Sequence, residues 1–181
     1  MNTNGSELIA EHIYEQLKAR NERLVLAESC TGGGVAAMLA QIPGISEYFC
    51  GSMVTYRPHC KRKWLGIKQN LIEVHTAESP KVVCEMASAI LKICDEATWS
   101  ASVVGHFDPN AAHNNIFVAI ARRTKNGKIK CRKAVSHTIR DTLNRSEKHV
   151  EAIEVVLTII SRAILRQDMK KIKGRHKCNE K

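Results

Sequence analysis

Apolar positions along the chain recur with two alternating periods. Leu8, Ile9, Ile13 and Leu17 keep helical spacing within 6–20, behind Ser6 as a candidate N-cap, and predict an amphipathic helix. "RLVLAES" (23–29) is a short apolar run of strand length. "TGGGVAAMLAQI" then predicts a second helix, stopped by Pro43 and Gly44. "EYFCGSMVTY" (47–56) has strand composition, and "KRKWLGI" (61–67) reads as a helical turn. Between 79 and 97, Val83, Met86, Ala87, Ile90, Leu91 and Cys94 form one stripe. Ser79 can cap that helix, and Pro80 suits its first position.

Three strands are predicted next: "WSASVVG" (99–105), "NIFVAIAR" (115–122) and "KIKCRKAVS" (128–136). Asn126-Gly127 is the hairpin signal joining the last two. A final helix is expected from about Ser146 to Leu165. Alternating helices and strands followed by an antiparallel pair predict an α/β fold, a three-layer α/β/α sandwich around a mixed sheet. The expected organisation is one domain over 1–165 with a basic tail over 166–181.

Composition narrows the function classes. Hydrophobic residues make up 44% and charged residues 25%, values of an ordinary globular protein, with no apolar run of membrane-spanning length. The N-terminal "MNTNGSELIAEHIYEQLKARNE" lacks a basic segment followed by an apolar one, so a cytoplasmic location is expected. Seven cysteines form no CxxC pair and read as reduced thiols. The eight histidines show no HxxxH or HExxH spacing, so neither a metal nor a cofactor is expected.

The net charge of +10 is concentrated. Seven Lys/Arg against Asp168 and Glu180 put +5 into "RQDMKKIKGRHKCNEK", and a second cluster, "ARRTKNGKIKCRK", flanks the hairpin turn. Three Phe, three Tyr and two Trp are too few for stacking platforms, so specific nucleic-acid binding is not expected.

"AESCTGGG" (27–34) carries the candidate chemistry. At a strand-to-helix junction its glycines make either a tight turn or a place where backbone approaches a ligand. Period-two alternation points Ser29 and Cys30 to opposite faces, so at most one faces a site. Cys30 is assigned to the core.

"AESCTGG" followed by "IPGISEYFCGSMVTYRPHCKRKWLGI" resembles the CinA C-terminal domain family, whose pattern is close to AESCTGG…VPGaSxyFxGgxvaYsnxxKxxxLGV. The likeness runs without a gap from about residue 24 to 67 and continues more loosely to Leu165. The resemblance implies the mixed-sheet fold and, in active members, hydrolysis of nicotinamide mononucleotide to nicotinate mononucleotide and ammonia. It implies Ser29 as nucleophile and Lys61 as its base, without a metal. Arg57, Arg62 and Lys63 either favour neutral Lys61 or are plain surface charge. Thr31, Gly32, Gly33 and Gly34 are assigned to the nucleotide phosphate or the oxyanion, together with Gly105 and Arg140 as substrate-binding positions. Glu28 either joins them or only orders the turn, and Tyr56 either orients Lys61 or ends its strand.

The second half departs from the family. "VGHFDPNAAHNNIFVAIA" (104–121) stands where members carry TGIAGPGG followed by VGTVYIA, so Val104 replaces a threonine. "TIRDTLN" (138–144) stands for GDRxxIR, with Arg140 at the first arginine and Asn144 at the second. His106 and His113 are either new pocket groups or surface residues, and Asp108 is a turn former before Pro109. Three readings follow: an amidase for a small-molecule substrate, an inactive paralogue that binds a nucleotide or a protein, and a basic nucleic-acid-associated module. A homo-oligomer is expected, since small α/β domains often bury a helix face against a copy.

Overall fold

The structure, a computed structural model, describes residues 4–107 and 114–176, and the side chains of 5–107 and 114–167. A mixed six-stranded sheet is its centre. β1 (Leu24–Glu28) lies between β2 (Phe49–Val54) and β3 (Trp99–Gly105), parallel to both. β4 (Asn115–Arg123) runs antiparallel to β3. β5 (Ile129–Cys131) and β6 (Val135–Thr138) pair antiparallel with successive parts of β4.

Alternation along the strands makes two cores. Leu24, Leu26, Ala101 and Val103 face α1 (Asn4–Arg20), α2 (Gly34–Leu39) and α6 (Arg145–His176). Val25, Ala27, Val104 and Ala119 face α3 (Pro58–Leu65), α4 (Gln69–His75) and α5 (Pro80–Ile93). The three central strands, β1, β3 and β4, bury side chains on both faces, as a sheet covered by helices on both sides requires. The expected three-layer sandwich is the observed one. Ser100 and Ser102 sit on the α5 face without loss, because their hydroxyls donate to the carbonyls of Ala87 and Val83 at 2.7 and 2.6 Å.

Several boundaries differ from the sequence reading, each for a local reason. Ser6 is buried inside the first turn of α1, so it is not the cap. The expected strand over 47–56 shortens to β2, behind a 3₁₀ turn over Ile45–Glu47. The helix α4 went unpredicted because it buries no residue fully and so shows no strong stripe. α5 keeps its cap: Ser79 Oγ accepts from the Val82 amide at 3.3 Å. It ends at Ile93, before the expected residue 97, and Arg123 donates to the Ala97 and Cys94 carbonyls just beyond it.

The single strand expected over 128–136 is broken by a bulge. Ala121 faces Cys131 and Val118 faces Val135, so four steps on one strand match three on the other. The extra residue turns the chain's side-chain alternation over between β5 and β6. α6 continues past Leu165 to His176, into the basic stretch.

Candidate active site

The loop after β1 is organised around one carboxylate. Period-two alternation sends Glu28 to the α2 face, where it is 1% exposed. Its Oε2 accepts from Thr31 Oγ1 at 2.8 Å and from the Gly33 and Val35 amides at 3.1 Å each. Its Oε1 accepts from the Ala36 amide at 3.0 Å and Ser52 Oγ at 2.9 Å. The Gly32 and Gly34 amides donate to the carbonyls of Ser29 and Thr31. The expectation of free amides held out to an anion is therefore corrected: Glu28 already occupies the start of α2. Gly32 and Gly33 serve the turn, with φ of +57° and +95°. Gly34 serves close packing, since a Cβ there would lie 2.4 Å from Ile153 Cδ1.

The next residue points the other way. Lys61 Nζ, arriving from α3, donates to Ser29 Oγ at 2.9 Å. Ser29 is 4% exposed and Lys61 is fully buried. Burial pushes the Lys61 amine below its ordinary value, while Glu78, Cys30 and Cys60 pull it partly back. The cause is burial, rather than the neighbouring cations Arg57, Arg62 and Lys63. Cys30 is sealed in the opposite core, where burial raises its thiol to about 12, so it stays protonated and inert.

The ends of β2 and β3 and the start of α6 complete this end of the sheet. Arg145 donates to Tyr56 Oη at 3.0 Å and to the Phe107 carbonyl at 3.5 Å. Tyr56, 52% exposed, thus answers to α6 as it leaves β2. His149, one turn further along α6, stands edge-on to Phe107 with ring centroids 6.3 Å apart. His106 Nε2 lies 3.1 Å from the carboxylate of Glu78, the same carboxylate that acts on Lys61. Continuing the β1–β2 register by one residue sets Thr55 opposite Ser29, and Thr55 Oγ1 is buried without a hydrogen-bond partner among the described residues.

Two expected site residues do other work, Gly105 at the site end of β3 and Arg140 away from it. Gly105 is a packing position: a Cβ there would meet Ile116 Cγ2 at 2.7 Å and the Asn115 carbonyl at 2.9 Å. Arg140 pairs with Glu151 at 3.0 Å and lines an open cavity of about 410 Å³ with His137 and Arg162, which neither Ser29 nor Lys61 borders. Asn144 is the cap of α6: its Oδ1 accepts from the Glu147 amide while Glu147 accepts from its own. Arg145, the neighbour, is the arginine that reaches the exits of β2 and β3, and a one-residue shift in reading "TIRDTLNR" would have found it. Asp108, Pro109 and His113 lie outside the described residues.

Among the described residues no helix is long and apolar enough to cross a membrane. A family model described as the CinA C-terminal domain matches residues 6–160. A CinA-like protein of Prochlorococcus marinus (strain MIT 9313) is 41% identical over 103 residues, 57% of this chain and 24% of that protein. Another, from strain MIT 9312 of the same species, is 30% identical over 153 residues, 84% of this chain and 36% of its own. The chain thus corresponds to about a quarter to a third of the curated relatives it matches. Among solved structures, the competence damage-inducible protein A (ComA) from Klebsiella pneumoniae has a TM-score of 0.77 and 25% identity, covering 87% of this chain and 95% of its own. The competence/damage inducible protein CihA from Agrobacterium tumefaciens gives 0.74 and 25%, covering 88% and 95%.

Proposed function

The chain belongs to the CinA C-terminal domain family, and from that premise we propose that it hydrolyses a carboxamide on a nicotinamide nucleotide. The observation that carries the reading is the 2.9 Å contact between Ser29 Oγ and the buried Lys61 Nζ. A serine hydroxyl is a weak nucleophile until a neighbouring base takes its proton, and a lysine with its amine pushed down by burial is such a base.

Ser29 Oγ attacks the amide carbon while neutral Lys61 accepts the hydroxyl proton. The tetrahedral intermediate collapses, the C–N bond breaks, and Lys61 returns the proton to the departing ammonia. Water, deprotonated by Lys61 in turn, cleaves the Ser29 ester and releases the carboxylic acid. Arg145 and His149 border the same end of the sheet as Ser29 and suit a phosphate, which Glu28 excludes from α2. Thr55 adds an unpaired hydroxyl beside the nucleophile.

One observation favours a second reading, a non-catalytic relative that binds a nucleotide or a protein. Val104, fully buried in the α5-side core, stands where the family resemblance places a hydrogen-bonding threonine. Ammonia release from nicotinamide mononucleotide, measured beside Ser29→Ala, separates the two. Release abolished by the substitution supports the amidase. No release, with thermal stabilisation by the nucleotide, supports the binding protein.

A further inference from the structure

Cys84 and Cys131, on different elements, direct both sulfurs at one carbonyl oxygen. Cys84 Sγ lies 3.6 Å and Cys131 Sγ 3.3 Å from the oxygen of Arg132, so that one atom brings the two thiols together. We propose that Cys84 and Cys131 form a peroxide-sensitive dithiol, the site of a reversible disulfide between α5 and β5. The inference is independent of the amide chemistry at Ser29.

Three features of the pair fit this chemistry. Cys131 is exposed and Cys84 half-buried, so the pair opens to solvent on the Cys131 side. It ends a three-residue edge strand immediately before the bulge, where the backbone can adjust to bond formation at little cost. The hydrogen bond donated by Cys131, with a further one near the Ala134 backbone, brings the Cys84 thiol down to about 7 against the opposing effects of burial and Glu85. Ser88, one turn along α5, donates its hydroxyl to the Cys84 carbonyl at 3.0 Å. A thiolate at neutral pH beside a second thiol is the arrangement that oxidises through to a disulfide.

The co-reactant is a hydroperoxide. The Cys84 thiolate attacks one peroxide oxygen, the O–O bond breaks, and hydroxide leaves, so that Cys84 becomes a sulfenic acid. The Cys131 thiol, which Cys84 and burial hold protonated, then attacks that sulfur as its proton passes to the departing hydroxide; the S–S bond forms and water leaves. With the two thiol protons the balance is two thiols and one hydrogen peroxide giving one disulfide and two waters.

The molecule holds an internal comparison. Cys50 and Cys94 also meet, with their sulfurs and the Glu96 carboxylate within 4.8 Å of one another. There, burial and the neighbouring Cys94 hold the Cys50 thiol up at about 12, and neither cysteine is exposed as Cys131 is.

The test treats the full chain with a small excess of hydrogen peroxide and maps disulfides by non-reducing peptide mass spectrometry. A link between the Cys84 and Cys131 peptides, reversed by dithiothreitol and still formed in Cys50→Ser, is the expected result. In Cys131→Ser the link disappears and a dimedone adduct appears on Cys84. A Cys50–Cys94 link formed first, a Cys131 bridge between two chains, or Cys84 left unmodified would each overturn the proposal.

Discussion

Ser29 and Cys30 are neighbours in the chain, yet they occupy opposite sides of the sheet. The Ser29 hydroxyl meets Lys61 at 2.9 Å, whereas the Cys30 thiol is closed into the core under α1, α2 and α6. The ordinary alternation of a strand, continued one residue past its end, decides which of two potential nucleophiles is presented. Ser29→Ala should therefore abolish ammonia release, with a loss of about 10⁴-fold or more, and Cys30→Ala should not change it while the fold holds. Steady-state ammonia release from both variants checks this.

Lys61 makes a prediction about stability as well as rate. Its amine is fully buried, so Lys61→Met removes the desolvation cost and keeps the apolar stem. Turnover should fall about 10²–10⁴-fold while the thermal midpoint stays level or rises. A lowered midpoint would show that the amine stabilises the fold.

The pH dependence follows with its sign. Unfolded, the amine keeps its ordinary value of 10.5; folded, burial lowers it. Between these two values the unfolded chain holds a proton that the folded chain does not, so stability rises with pH across that window. Below it the fold carries the full cost of a buried ammonium. Turnover should climb through the folded value and level off before 10.5, because the neutral amine is the base. Parallel pH profiles of turnover and of urea midpoint test both halves, and Lys61→Met should lose the stability slope.

Glu28 accepts five hydrogen bonds, and Glu28→Gln would turn an amide nitrogen toward donors on one side. The expected cost is about 2–3 kcal/mol by urea denaturation, with the Ser29 loop loosened and turnover lowered.

Arg145 bridges the exits of β2 and β3 through Tyr56 and Phe107. Arg145→Lys keeps the charge and loses the fork, so KM for the nucleotide should rise about tenfold with a smaller change in kcat. Tyr56→Phe should produce a weaker effect in the same direction.

The layers and the Ser29–Lys61 contact were legible because each rests on local pattern. Apolar alternation in "RLVLAES" and the stripe through Val83, Met86 and Ile90 name their faces, and Ser29 and Lys61 stand inside a motif of fixed spacing. What stayed hidden depends on pairing across distance. The one-residue bulge before Val135 leaves no mark in composition. Asn144 looked like a lost arginine, whereas the helix start needed it as a cap and the arginine followed it. The glycine loop looked open to an anion because no sequence pattern reveals that Glu28 already satisfies it.

The order in which the parts of the site lie along the chain has a consequence during synthesis. Ser29 and Lys61 are separated by 32 positions, while Tyr56 and Arg145 are separated by 89. A growing chain thus has Ser29 and Lys61, the proposed nucleophile and base, long before Arg145 exists. Translation proceeds at about 5–20 residues per second, so seconds pass between the two. On the proposed reading, a nascent chain carries the serine and lysine without the cation that would hold a phosphorylated substrate, and the docking of α6 completes the site.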